Sequence, residues 1–456
     1  MFAAFWNTLK IKELRNRLLF TAGIIVLIRV AANIPCPGID PVALGEYFRV
    51  NFSETTSSGG GLLGMVDLFS GGALLKFAIA TLGIMPYITS SIVMQLLTPV
   101  IPSLEKMSRE GDSGRQKINQ YTRYLTVLIC LVQGTVAATA MLSPSKVGLP
   151  ALAKGQTLIV MNPSIFVFMT VLVLTACTMV FMWLGEQVTE RGIGNGASII
   201  ITINIIARMP SACLQLGKMA YRGSTEAGTS FTPIHLIILL CIFAAVTAAT
   251  ILLTQGYRRV PIQMVRKTIG GQVQDGSTYM PLKVNFAGVM PIIFAGAIIM
   301  VPTTLFSMLK WTTAAQFLQH GSTGYIVTYS ILILAFSYFW VANQFNPLQI
   351  SDNLKQQGAY IPGIRPGEPT AHFLDGTMTK ITFAGSIFLM FLAIFPTMLY
   401  VGLKIPFIVA SFFGGTSLLI MVGVVLDTLS QLESHLTMRN YEGFLKRGRI
   451  HSRSGR

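Results

Sequence analysis

The sequence predicts an all-α polytopic membrane protein with ten transmembrane helices, and three observations predict it. Of 456 residues, 52% are hydrophobic and only 11% charged, against roughly 25% charged in ordinary soluble domains. Mean hydropathy is +0.61. The apolar residues gather into ten long segments, and positive charge alternates across the links between them.

The segments lie at about 18–36, 77–100, 124–142, 160–184, 193–208, 232–254, 284–306, 324–345, 381–400 and 405–429. Most are near the roughly 20 residues of helix that a bilayer requires. The first follows Lys10, Lys12, Arg15 and Arg17 and carries Arg29, the only charge away from a span end, Glu186 and Asp427 sitting at the ends of theirs. Such a lone arginine near a helix end ordinarily snorkels to headgroups or caps carbonyls. Pro86 and Pro291 sit in early turns of the second and seventh segments and are expected to bend them. The fifth is short and led by glycines.

Twenty-four of the 34 Lys and Arg residues fall before the first span, after the last, or in the links that share that side. By the positive-inside rule both termini are then cytoplasmic. The net charge of +16 is therefore largely a topology signal. The start, "MFAAFWNTLKIKELRNR", reads as a basic lead-in without a cleavage site. Five scattered cysteines form no CxxC pair, so no redox or zinc site, and no metal or cofactor, is indicated.

Two cytoplasmic links are longer than connection demands. In "RRVPIQMVRKTIGGQVQDGSTYMPLK" (258–283), apolar residues flank a Gly-Gly turn, which predicts a β-hairpin. The other, 346–380, reads as a short helix followed by "IPGIRPGEP", a turn that presents Arg365. Basic projecting loops suit lipid headgroups, RNA or an acidic protein surface.

Membrane enzymes and ion-coupled transporters place ionisable residues at mid-bilayer depth. Here the spans are almost empty of them, no HExxH occurs, and no catalytic constellation is present. A passive passage through the membrane is favoured. A polytopic solute transporter is the alternative, and it would need polar groups converging within the spans.

One stretch does not fit a span. "GGGLLGMVDLFSGG" (59–72) is too short to cross and too apolar for an exposed loop, and glycines fence both ends.

Several long motifs carry a resemblance: "FSGGALLKFAIATLGIMPYITSSIVMQLL" (69–97), "EGDSGRQKINQYTRY" (110–124), "WLGEQVTERGIGNGASIII" (183–201), "PLKVNFAGVMPIIFA" (281–295), "NPLQISDNLKQQGAYIPGIRPGEPTAHFLD" (346–375) and "FFGGTSLLIMVGVVLD" (412–427). In order and spacing the chain resembles the bacterial SecY proteins of the SecY/Sec61-alpha family, the channel subunits of the Sec translocase.

The resemblance implies two inverted five-helix halves forming a clamshell around an hourglass pore. The halves would be 1–208 and 232–430, joined by an extracytoplasmic hinge at 209–231. Cytoplasmic loops 255–283 and 346–380 and a basic tail at 431–456 complete the layout. It implies a channel rather than an enzyme, in the bacterial inner membrane. SecE and SecG would be its companion subunits and SecA ATPase or the ribosome its driver. Signal sequences, nascent polypeptides and membrane lipids would be its other contacts.

Residue by residue, the pore ring maps onto Ile84, Ile88, Ile201, Ile293 and Ile420. Ala197 stands where the family often has isoleucine, and Ile200 is a neighbour that could compensate. The stretch at 59–72 maps onto the plug, with Leu62, Leu63, Met65, Val66, Asp67, Leu68 and Phe69. The lateral gate maps onto Thr89, Ser90 and Ser91, facing Gly296 to Val301. The docking site for SecA and the ribosome maps onto Arg258, Arg259 and Arg365.

Overall fold

The computed structural model describes residues 11–52, 67, 69–144, 158–222, 233–264, 268–269, 272–273, 277–308, 311–318, 321–403, 409–410, 412 and 414–447. Ten helices stand at the ten expected apolar segments: α1 (Lys12–Ala31), α3 (Met85–Leu97), α5 (Asp112–Leu142), α6 (Pro163–Arg191), α7 (Gly196–Arg222), α8 (Pro233–Gln255), α9 (Met290–Met308), α11 (Thr323–Gln344), α13 (Glu368–Leu403) and α14 (Thr416–Arg447). Shorter helices α2 (Pro41–Phe52), α4 (Pro102–Arg109), α10 (Thr312–Phe317) and α12 (Pro347–Gln356) lie between them. Among the described residues, seven of these helices are long and apolar enough to cross a membrane. The pair α3 and α4, bent by 102°, counts as an eighth.

The helices are inside out relative to a soluble bundle. On α5 the buried stripe is Thr122, Thr126, Cys130, Gly134 and Ala138; on α6 it is Phe166, Thr170, Leu174 and Thr178. Each stripe repeats every four residues, which keeps it on one helix face. Small residues there let the backbones close up: a Cβ on Gly134 would sit 3.6 Å from the Val171 Cα. The opposite faces expose Leu128, Val132, Phe168, Leu172 and Trp183. In water such a surface would aggregate, whereas lipid is its natural solvent.

Helix ends depart from the expected boundaries. α7 continues through Pro210 to Arg222, so the segment expected as a hinge begins as helix. Buried Ala212, Leu216 and Met219 explain it, because they pack with Leu239 of α8 and Leu399 of α13. α13 starts at Glu368 rather than near 381, and α14 runs on to Arg447. Helix α2, in a link with no expected element, buries Leu44 and Tyr47 against Phe77 and Phe166. Pro86 opens α3 at its first turn, and Pro291 is the second residue of α9, so each starts a helix rather than bending one.

The second apolar segment is helical only from Met85. Residues 73–84 form turns whose backbone is satisfied within the protein. Cys36 N–H donates to the Phe77 carbonyl at 2.9 Å, Ile79 N–H to Ile34 at 2.9 Å, and Ala78 N–H to Ala73 at 2.9 Å. Irregular backbone inside a membrane protein requires such partners, because lipid supplies none.

The expected hairpin is present. Strand β1 (Tyr257–Met264) pairs antiparallel with β4 (Ser277–Lys283), with Val260 opposite Met280. Short strands β2 (Thr268–Ile269) and β3 (Gln272–Val273) pair with each other. The second long link adds β5 (Ala359–Tyr360) to the other edge of β1, giving the order β4-β1-β5.

The corner between α6 and α7 is closed by glycine. A Cβ on Gly196 would overlap the Gly185 carbonyl oxygen. Gly196→Ala is therefore expected to destabilise the protein by about 1–3 kcal/mol, the usual cost of forcing atoms into a packed site. A lowered thermal midpoint in detergent, with Gly217→Ala (open space at its Cβ position) unchanged, would verify it.

Candidate functional site

Five isoleucines from four helices reach one buried apolar cluster. Ile84 precedes the first turn of α3, and Ile88 N–H donates to its carbonyl at 3.1 Å, so the two lie one turn apart on one face. Ile201 comes from α7, Ile293 from α9 and Ile420 from α14. Ile84, Ile88, Ile201 and Ile420 are buried in this cluster, and Ile293 packs against it half-buried. Ile200 belongs to it as well. Gly185 makes room there: its Cβ position lies 3.4 Å from the Ile200 Cδ1 and 3.5 Å from the Ile84 Cδ1. Ala197 packs at the cluster's edge. The isoleucine side chains themselves offer an ion no ligand.

Beside it lies the end of the glycine-fenced stretch. Leu62, Leu63, Met65, Val66 and Leu68 fall outside the described residues. Asp67 is buried, at 2% exposure, and forms an ion pair with Arg208 of α7. Its Oδ1 also accepts from the Leu75 N–H at 3.2 Å. Arg29 of α1 donates through Nη2 to the Gly71 carbonyl at 2.9 Å and through Nη1 to Asn204 Oδ1 at 3.1 Å. Asn204 in turn donates through Nδ2 to the Phe69 carbonyl at 2.9 Å. Of the two roles expected for Arg29, the structure shows the capping of a carbonyl, that of Gly71, with Asn204 as its second partner.

Gly71 and Gly72 have φ of +68° and +90°, the left-handed region that glycine enters without strain. A Cβ on Gly71 would collide with the Arg29 guanidinium. Arg29, Asn204 and Arg208 were not legible as site residues, although one signal existed: a charge inside a span is by default a functional candidate.

The hydroxyls of α3 are engaged within their own helix. Thr89 Oγ1 donates to the Met85 carbonyl at 3.0 Å and Ser90 Oγ to the Pro86 carbonyl at 2.7 Å. Ser91 Oγ lies 3.4 Å from the Gln95 Nε2 donor. A polar tie reaches across from α11, where Asn343 Nδ2 donates to the Gln95 carbonyl at 3.4 Å. Val301 lies on α9, and Gly296 has open space at its Cβ position.

The two basic loops come together, which their separation in sequence did not reveal. Gln263 of β1 pairs with Tyr360 of β5, and the Tyr360 hydroxyl donates to Gln263 Oε1 at 3.1 Å. Arg259 lies between two exposed rings, its guanidinium carbon 5.3 Å from the centre of Tyr257 and 4.9 Å from that of Tyr279. Its Nη2 donates to the Tyr257 hydroxyl at 3.0 Å, which holds the guanidinium pKa above its usual value. Arg258 is also exposed. Arg365 is exposed on a turn with positive φ at Gly363 and Gly367. The turn is anchored where Ser351 Oγ donates to the Gly367 carbonyl at 2.6 Å and Thr370 Oγ1 to the Arg365 carbonyl at 2.8 Å. Stacked or turn-fixed arginines keep their planar donors preorganised for carboxylate or phosphate.

Comparison with known proteins agrees with this arrangement. The sequence profile of the SecY family matches residues 78–429. The protein translocase subunit SecY of Streptomyces griseus is 44% identical over 471 aligned residues, covering 98% of this chain and all of that protein. That of Thermotoga maritima is 40% identical, covering 99% of this chain and all of its own. Among solved structures, "The structure of a protein conducting channel" superposes with a TM-score of 0.63 at 17% identity, covering 92% of this chain and 91% of that one. "Sec61 in the Canine ribosome-channel complex from the endoplasmic reticulum" superposes with a TM-score of 0.60 at 16% identity, covering 92% and 91%. The ten helices, the buried isoleucine cluster and these full-length likenesses lead to one conclusion: the chain belongs to the SecY family of protein translocase subunits.

Proposed function

We propose that this multi-pass membrane protein is the protein-conducting channel of a Sec translocase, passing unfolded secretory proteins across the bacterial inner membrane and releasing transmembrane segments sideways into lipid. The observation that carries this reading is that Ile84, Ile88, Ile201 and Ile420 are buried in one apolar cluster, with Ile293 packed against it. An apolar constriction fits around side chains of any kind and excludes ions when it is dry.

In this reading the stretch 59–72 is a plug seated against the constriction, and the inverted halves 1–208 and 232–430 part between α3 and α9, beside Thr89, Ser90, Ser91 and Val301. Both termini and the sheet β4-β1-β5 face the cytoplasm, as the alternation of positive charge supports. Arg258, Arg259 and Arg365 then form one docking surface for the SecA ATPase or the ribosome, and SecE and SecG complete the complex. A structural neighbour is described as "The plug domain of the SecY protein stablizes the closed state of the translocation channel and maintains a membrane seal", which supports the role given to 59–72.

The test is reconstitution of the chain with its companion subunits in vesicles. ATP-dependent uptake of an unfolded preprotein into a protease-protected space is expected. Transport of a small solute with no preprotein uptake would favour the transporter reading instead.

A further inference from the structure

The plug reading leaves open what holds the segment in place, and an apolar segment in an apolar funnel has no fixed seat. We propose that Asp67, Arg208, Arg29 and Asn204 form a polar latch that fastens the end of the plug to α1 and α7, and that this latch releases independently of the parting of α3 from α9. The inference rests on the reading of 59–72 as a plug.

Three grips fall on a five-residue stretch: Arg208 on the Asp67 carboxylate, Asn204 on the Phe69 carbonyl, and Arg29 on the Gly71 carbonyl. Asn204 also accepts from Arg29, so the two helices are tied to each other through the same atoms that hold the segment. Positive φ at Gly71 turns its carbonyl toward Arg29 and leaves no room for a side chain.

Burial of a carboxylate is tolerable only with a partner, yet the same desolvation keeps the net gain from such a pair small. That combination suits a latch: specific in its seat, and weak enough to open once Asp67 reaches water. Arg208 is the guanidinium that pairs with the carboxylate, so removal of the carboxylate leaves a buried charge without its partner and costs more than a hydrogen bond.

Among the described residues, every polar partner of 67–72 outside the segment and the turn that follows it lies on α1 or α7. None lies on α3 or α9. Parting those two helices therefore breaks none of the latch bonds, and plug release is a separate step.

The experiment measures ion conductance of the reconstituted complex in planar bilayers, without preprotein. Asp67→Asn, which keeps the shape and removes the charge, is expected to raise the resting ion conductance at least about tenfold, the usual consequence of losing a charged hydrogen bond. Arg208→Gln should act in the same direction, and Arg208→Lys, which keeps the ion pair, should have much the smaller effect. In a channel lacking residues 59–72, Arg208→Gln should add nothing further, since its partner is already gone.

Conductance of Asp67→Asn equal to the unaltered channel, with the 59–72 deletion open, would overturn the latch. So would an equal effect of Arg208→Gln with and without the segment. A deletion channel that stays shut would instead overturn the plug reading on which the latch depends.

Discussion

Replacing Ile84 and Ile88 together by serine is expected to raise the resting ion conductance of the reconstituted channel at least about tenfold and to admit preproteins with defective signal sequences. The two side chains share one face of α3 and bury themselves in the apolar cluster. Full burial of such a side chain is worth about 1.5–3 kcal/mol. Losing even part of two such contributions moves a closed–open balance by a factor of ten, which corresponds to about 1.4 kcal/mol. Serine also supplies hydroxyls that hold water in a constriction that excludes it when lined by hydrocarbon. Single-channel recording and export of a signal-defective reporter measure the two effects. Unchanged conductance and unchanged stringency would remove these residues from the seal.

The second large effect is expected at the exposed basic turn that carries Arg365. Arg365→Glu should lower SecA-driven export about tenfold or more while leaving insertion of the protein itself intact. Arg365 is exposed on a turn fixed by Ser351 and Thr370, so its replacement disturbs no buried contact. A hydrogen bond to a charged group contributes about 1.5–3 kcal/mol, and reversing the charge adds repulsion toward an acidic partner. Stimulation of the SecA translocation ATPase in inverted vesicles is the measurement. Normal stimulation would show that docking does not use this turn. Because β5 pairs with β1, disrupting Gln263 and Tyr360 should weaken docking through Arg258 and Arg259 in the same assay.

Both predictions concern residues that motif resemblance singled out, whereas three of the four latch residues, Arg29, Asn204 and Arg208, are ones it did not. The difference is physical. Ile84 and Ile88 sit within a contiguous motif, so their neighbours in sequence identify them. The latch joins positions 29, 67–71, 204 and 208, which only meet after α1 and α7 have packed. Arg208 also lies close to where apolarity fades along α7, and in the sequence it is indistinguishable from an ordinary flanking charge.

Helix boundaries show the same division. Apolarity records the depth of lipid, not the length of the helix. α7, α13 and α14 therefore run past the spans they contain, carried by contacts such as Ala212 and Leu216 against α8 and α13. The second segment errs the other way. It is apolar from residue 77, yet its backbone stays in turns until Met85, where Pro86 opens the helix.

By itself, the sequence determined the membrane class, the ten apolar segments, the side on which positive charge collects, the β-hairpin and the family. All but the last are written in local composition or in short-range periodicity, which act on every residue regardless of the rest of the chain; the family is carried by resemblance of its long motifs. Only the tertiary structure decided that the two basic loops share one sheet, that Ile200 joins the isoleucine cluster, and that Arg29 turns inward with Asn204 and Arg208 to hold the segment ending at Gly72. Those facts depend on which helix faces meet. In lipid, that choice rests on close packing of small residues and on polar groups finding one another, not on the apolarity that every span shares.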